Sequence, residues 1–257
     1  MKATQKTRTD AALPMLLRSF KLPAFVREYD HLADRAAAEG LSHSQYLLAL
    51  AEVEAAERDA RRMGRRLDES KLPREKTLGN YDLDRLPAKV RSTLASLRES
   101  SFVDQAVNVI VFGNPGTGKT HLVAGLGHEL VRQNRTVLFA PAFQLVQRLL
   151  AAKRDLRLSQ ELRKLDRFEV LILDDIGYVQ QNREEMEVLF TLLAERYERK
   201  SVLITSNLVF SQWDQIFKDT MTTAAAVDRV VHHSVILELT VESYRAQAAL
   251  ERARGQR

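Results

Sequence analysis

The sequence contains no cysteine, so it holds no disulfide framework, no thiolate metal site and no cysteine nucleophile. It also lacks any run of about 18 apolar residues, the length that a membrane-spanning helix needs. The opening residues "MKATQKTRTD" carry no apolar signal region, and neither internal repeats nor low-complexity tracts occur. These absences exclude a disulfide-stapled secreted scaffold, leave no membrane partner to be expected, and point to a cytoplasmic chain.

What is present is the composition of an ordinary globular protein. At 257 residues, 45% hydrophobic and 28% charged, the chain can bury a full core and has room for one large domain or a domain with a smaller module. The net charge of +5 is uneven: residues 1–100 hold 19 Lys+Arg against 15 Asp+Glu, the remainder 20 against 19. A surplus confined to one module suggests an anionic partner, of which nucleic acid is the commonest large example, or else a solvated basic surface.

The first part reads as helices. Pro23 suits a first turn, Phe25, Val26, Tyr29, Leu32 and Ala36 recur at helical spacing, and Gly40 suits a stop. A longer helix follows to about Leu67, opened by Ser42 and Gln45 at capping-box spacing. Gly64 inside it is a point where the helix could end or bend. Arg58, Arg61, Arg62, Arg65 and Arg66 fall at i, i+3, i+4, i+7 and i+8, so they share one face. They are candidates for DNA phosphates, with a solvated face or a protein contact as the alternative. Pro73, Gly79, Asn80 and Pro87 break the pattern, which predicts a helical domain over 1–67, a linker over 68–88 and a second domain over 89–257.

That second domain alternates strand and helix. "VNVIVFG", "TVLFAPA", "EVLILDD", "SVLITSN" and "SVILELT" are short apolar runs typical of strands buried on both faces, so the expected fold is α/β with a five-stranded parallel sheet. Gly113, Gly118, Lys119 and Thr120 match GxxxxGK[ST] between a strand and a helix, the context that makes this motif a phosphate-binding loop. The residues expected to contact nucleotide are Gly113, Asn114, Pro115, Gly116, Thr117, Gly118, Lys119, Thr120 and His121. Backbone N–H groups would cradle the phosphates of ATP, Lys119 would supply charge to them, and Thr120 would offer its hydroxyl to Mg2+.

"EVLILDDIGY" supplies the acidic partner. Asp174 fits a Mg2+ ligand acting through water, and Asp175 fits a general base for the attacking water or a cap of the following turn. A further strand between Thr120 and Asp174 points away from nucleoside-monophosphate kinases and towards hydrolysis-driven P-loop proteins. "TSN" ends another strand with Thr205, Ser206 and Asn207; Asn207 is the chosen sensor of the γ-phosphate, a turn residue being the alternative. Arg229 is read as a finger reaching a neighbouring subunit and Arg245 as a sensor within its own, although surface arginines are common. His232 and His233 have no other evident ligands nearby in sequence and are expected to be structural.

Together "GNPGTGKT", "LILDD", "TSN" and the two late arginines resemble the AAA+ ATPases, in their initiator and helicase-loader branch. The segments "LSHSQYLLALAEVEAAERDARR", "SKLPREKTLGNYDLD", "LILDDIGY" and "DRVVHHSVILELTVESYR" more specifically resemble the IstB family, transposition helper ATPases of bacterial insertion sequences; the similarity spans roughly Leu13 to Arg245. The resemblance implies an ATPase that binds double-stranded DNA with little sequence preference, forms a homo-oligomeric ring or helical assembly, and recruits or stimulates its partner transposase in the bacterial cytoplasm. It assigns the Walker A role to Lys119 and Thr120, Walker B to Asp174, the sensors to Asn207 and Arg245, and the finger to Arg229. Two departures stand out: many AAA+ proteins have Glu where Asp175 stands, which implies slow basal hydrolysis, and only residues 241–257 follow the last strand, which implies a reduced or absent lid. The competing expectations are a helicase loader of the DnaC type and a nucleotide-dependent protein scaffold that does not touch DNA.

Overall fold

The computed structural model describes residues 12–178, 183–209, 212–213, 230–241 and 243–244. The chain divides into two compact units, Met1–Arg65 and Arg66–Arg257. No helix among the described residues is long and apolar enough to cross a membrane.

The first unit is helical: α1 (12–19), α2 (Pro23–Glu39) and most of α3 (His43–Ser70). Its punctuation is the one the residue types demand. Pro23 stands in the first turn of α2, and Gly40 closes that helix in the left-handed conformation at φ 66°. Ser42 and Gln45 cap α3 reciprocally, Ser42 N–H donating to Gln45 Oε1 (2.8 Å) and Gln45 N–H to Ser42 Oγ (3.3 Å). Between the helices the buried Glu54 carboxylate accepts from the Ala24 N–H (2.8 Å) and from Arg58 Nε (2.8 Å). Gly64 neither ends nor bends α3 into two, because the helix-favouring residues around it outweigh a cost of about 1 kcal/mol.

Residues 68–88 are more than a tether. Leu72, Leu78, Tyr81 and Leu86 are buried in the core of the second unit, and between the end of α3 at Ser70 and Ala88 short 3-10 turns at Leu78–Asn80 and Leu83–Arg85 interrupt an irregular backbone. The rest of that unit runs α4 (Ala88–Leu97), α5 (Ser101–Asp104), β1 (Asn108–Gly113), α6 (Lys119–Arg132), β2 (Val137–Pro141), α7 (Ala142–Arg154), α8 (Leu158–Leu165), β3 (Val170–Asp174), a 3-10 turn (Ile176–Tyr178), α9 (Arg183–Arg196), β4 (Ser201–Ser206) and β5 (Ser234–Leu239). All five expected strands form one parallel sheet in the order β2-β3-β4-β1-β5.

Strand alternation sorts the core into two layers. Val109, Val111, Val170, Ile172 and Leu203 face α6 and the 72–86 segment, while Ile110, Phe112, Leu171, Leu173 and Ile204 face α7 and α9. Strand β5 departs from the expectation of burial on both faces. As an edge strand it hides Leu237 and Leu239 but leaves Ile236 48% exposed. This order sets the site: β4 lies between the strand that leads into the glycine-rich loop and the strand that ends in Asp174.

Candidate active site

Strand β1 delivers the chain at Gly113 to a tight loop, and α6 starts at Lys119 with its unbonded N–H groups facing the sheet's C-terminal edge. Gly118 adopts φ 90°, and a Cβ there would come within 2.9 Å of the Tyr81 hydroxyl. The loop braces itself. Lys119 Nζ donates to the carbonyls of Gly113 (2.7 Å) and Asn114 (3.0 Å), and Thr117 Oγ1 donates to Asn114 O (2.9 Å).

A cleft of about 360 Å³ opens over this loop and gathers Lys119, Thr120 and His121 on one side with Asp175 and Asn207 on the other. Residues separated by up to 88 positions in sequence thus meet in one cavity. Its remaining wall is one that sequence reasoning did not assign to the site: Lys76, Asn80, Tyr81 and Asp82 from the 72–86 segment, and Tyr244 from beyond β5. Tyr244 is tied on through its backbone, its hydroxyl and its ring. Its N–H donates to Gly116 O (3.0 Å), its hydroxyl donates to Asp82 O (3.3 Å), and the Arg85 guanidinium carbon stands 4.0 Å from its ring centroid. Burial pushes the Tyr81 phenol up, so its hydroxyl stays protonated at neutral pH. The overlooked signal was Gly125 within α6: it carries no side chain where the Leu78 backbone packs, and a glycine inside a helical pattern often marks such an approach.

His121 turns towards the same wall. Its Nε2 lies 2.9 Å from Thr77 O, and since a carbonyl only accepts, that nitrogen carries the proton; the ring meets Tyr81 edge-on at 5.1 Å.

The acidic corner is built around Thr205, at the end of β4. Its hydroxyl donates to Asp174 Oδ1 (2.7 Å) and accepts the Asp175 N–H (2.7 Å). Asp175 itself is in the left-handed region at φ 62°. Asn207 Oδ1 is buried and has no hydrogen-bond partner among the described residues. Thr120 and Asp174 offer a hydroxyl and a carboxylate, hard oxygen donors of the kind Mg2+ prefers.

The other expected residues fare differently. Arg229 and Arg245 lie outside the described residues. Their flank is informative, however: Asn108 at the start of β1 donates through Nδ2 to Val230 O (3.1 Å), at the opposite end of that strand from the phosphate loop. His232 and His233 do have a possible third ligand, Glu198, whose carboxylate lies 3.4 Å from His233 Nε2; all three are exposed. Along α3, Arg58 and Arg61 lie 2.8 and 3.5 Å from Glu54, Arg62 pairs with exposed Asp59 (2.6 Å), and Arg66 donates to Asn134 Oδ1 (2.9 Å). Arg65 is exposed and makes no ion pair among the described residues.

Comparison with known proteins agrees with this geometry. The model of the family described as IstB-like ATP binding protein matches residues 15–252. The chain is 40% identical to an insertion-sequence ATP-binding protein of Sinorhizobium fredii over 255 residues, 99% of this chain and 86% of that one. It is 38% identical to the IS21 insertion-sequence ATP-binding protein of Pseudomonas aeruginosa over 233 residues, 91% and 88% of the two chains. Among solved structures, that of DnaI is similar with a TM-score of 0.56 at 22% identity, covering 66% of this chain and 95% of that one, which speaks for the fold alone. With its P-loop, acidic strand end and α/β sheet in place, the chain belongs to the IstB-like ATP-binding family of insertion-sequence proteins.

Proposed function

We propose that this protein is a Mg2+-dependent ATPase of the bacterial cytoplasm that assembles on double-stranded DNA as a homo-oligomer, ring or helical, and recruits or stimulates the transposase of its own insertion sequence. The observation that carries the ATPase reading is the single cleft holding Lys119, Thr120, Asp175 and Asn207, with Asp174 fastened beside it. The loop N–H groups and Lys119 bind the phosphates, and Thr120 and Asp174 hold the metal. Bound Mg2+ supplies charge neutralisation at the β and γ phosphates. Asn207, on the wall of the cleft, orients the lytic water. Asp175 takes the proton of that water as its oxygen bonds to the γ-phosphorus and the bond from the β–γ bridging oxygen breaks, releasing ADP and phosphate. Its side chain is one methylene shorter than glutamate, which favours slow basal turnover until the site is closed.

The anchoring of Val230 supports the trans role of Arg229. Val230, its described neighbour in sequence, is held at the start of β1, and the six residues of that strand, on the order of 17 Å at ~3.3 Å per residue, lie between Val230 and the phosphate loop. A neighbouring subunit's nucleotide is the better target, and Arg245 is the sensor within the subunit. In this reading residues 1–67 contact DNA, residues 68–88 join them to the ATPase domain and wall the nucleotide, and 89–257 form the ATPase domain. Relatedness to insertion-sequence proteins supports the transposition context.

The test combines two variants with a binding titration. Lys119→Ala is expected to lose ATP binding or turnover. Arg229→Ala is expected to keep nucleotide binding and lose DNA-stimulated hydrolysis; retained stimulation removes the finger role. Affinity for duplex DNA is expected to differ between ATP and ADP, and an affinity indifferent to nucleotide favours a scaffold that works without DNA.

A further inference from the structure

We infer that Thr205 is the positioning residue that fixes Asp174 and Asp175 relative to each other, so that one hydroxyl sets both the metal-holding and the water-activating carboxylate. The inference rests on the ATPase reading above and goes one residue beyond it.

The sheet order places this hydroxyl. Strand β4 runs between β1 and β3, with Thr205 beside Val111 on one flank and the end of β3 on the other. Thr205 is fully buried at 0% exposure, on the strand face shared with Leu203 and α6. A buried hydroxyl must spend its one proton and its lone pairs well. Here the proton goes to Asp174 Oδ1, a charge-assisted bond of 2.7 Å, and a lone pair takes the Asp175 N–H, also at 2.7 Å. This bond fixes the orientation of the Asp174 carboxylate, the group that would hold the metal.

The second bond matters for a different reason. Asp175 sits at φ 62°, a region that L-residues with side chains enter only when their surroundings hold them there. Its N–H donates to the Thr205 hydroxyl, which ties this backbone position to β4. From this turn Asp175 forms part of the cleft wall. A threonine suits the post better than serine or asparagine: its β-branch restricts χ1 and its methyl fills the strand face, so the oxygen has one place to be.

The experiment compares Thr205→Val, which keeps the shape and deletes the hydroxyl, with Thr205→Ser, which keeps the hydroxyl. Two quantities are read in the full chain: the kcat of ATP hydrolysis, and the factor by which Mg2+ raises the affinity for a fluorescent non-hydrolysable ATP analogue over the value in EDTA. Thr205→Val is expected to lower kcat by about 10- to 100-fold and to shrink the Mg2+ factor, with affinity in EDTA little changed, as for loss of a residue that orients a metal ligand. Thr205→Ser is expected to retain most of both. A valine variant with native kcat and a native Mg2+ factor overturns the inference. So does a serine variant as impaired as valine, because the methyl would then be what matters. Should the valine variant fail to fold, Thr205→Ala against Thr205→Ser reads the same contrast. Absence of turnover in the native protein would count against the ATPase reading, while the Mg2+ factor would still judge Thr205.

Discussion

Two buried charges show how little a residue's type reveals of its use until its neighbours are known. Arg196, at the end of α9, donates to the carbonyls of Leu165, Phe168, Glu169 and Ser201 at 3.0–3.3 Å, and burial pushes its guanidinium down to about 10. It remains charged at neutral pH and stitches loop carbonyls at the edge of the sheet opposite the cleft. Glu54 is the counterpart in the helical unit. Burial pushes its carboxyl up, but Arg58, the Ala24 amide and Arg61 outweigh burial and hold it below the ordinary glutamate range. A carboxylate with a depressed folded pKa adds stability that is present above its unfolded pKa and lost as pH falls through the folded one. Glu54→Gln is therefore expected to destabilise the helical unit by about 1–2 kcal/mol at pH 7. In urea unfolding followed by circular dichroism, the gap between variant and native protein should close as pH drops below the glutamate range. A gap that persists unchanged in acid would assign the effect to shape instead of charge. The same contact bears on DNA: Arg58 and Arg61 serve Glu54, which stands four and seven residues before them on the same helix face.

At the level of elements, caps and strands were legible because they obey local rules. Pro23, Gly40, Ser42 and Gln45 mark helix ends through backbone chemistry that acts within four residues, and the five apolar runs became the five strands. The two glycines of the helical unit, Gly40 and Gly64, now separate in sign. Gly64 lies in helical backbone with nothing within 4 Å of where a Cβ would stand, so Gly64→Ala is expected to stabilise by about 0.5–1 kcal/mol. Gly40 has equal space but φ 66°, and Gly40→Ala is expected to cost roughly 1 kcal/mol. Denaturant midpoints of the two variants should move in opposite directions; movement the same way would contradict the backbone argument. The 68–88 segment was not legible as a packed element, because an irregular backbone has no period to read. Its leucines and Tyr81 are scattered among Pro, Gly and charged residues, and only the sheet shows that they line one surface.

For the molecule as a whole, the proposal of sequence-independent DNA binding makes a salt-dependence prediction. Arg58 and Arg61 are drawn to a buried carboxylate, whereas Arg62 has only an exposed partner, a weak competitor for phosphate, and Arg65 has no ion pair among the described residues. Replacing Arg62 and Arg65 with serine is expected to reduce the slope of log K against log salt by about 2, uniformly across DNA sequences. Fluorescence anisotropy with two unrelated duplexes measures it, and an unchanged slope removes these arginines from the DNA interface.

By itself the sequence determined the chemistry on offer: a phosphate loop whose spacing is a property of consecutive residues, paired aspartates at a strand end, and five apolar runs that form strands. These are local facts, fixed by covalent order and by the 2.0 and 3.6 residue periods. Which groups share a cleft is not local. The sheet order decided that β4 should stand between β1 and β3, and so put Thr205 against both aspartates and Asn207 across from Lys119. The fold likewise brought Tyr81 and Tyr244, 163 positions apart, to within 6.1 Å as a wall of the site. Strand order follows from crossovers and layer packing, which depend on the whole chain at once, and no stretch of residues carries that information alone.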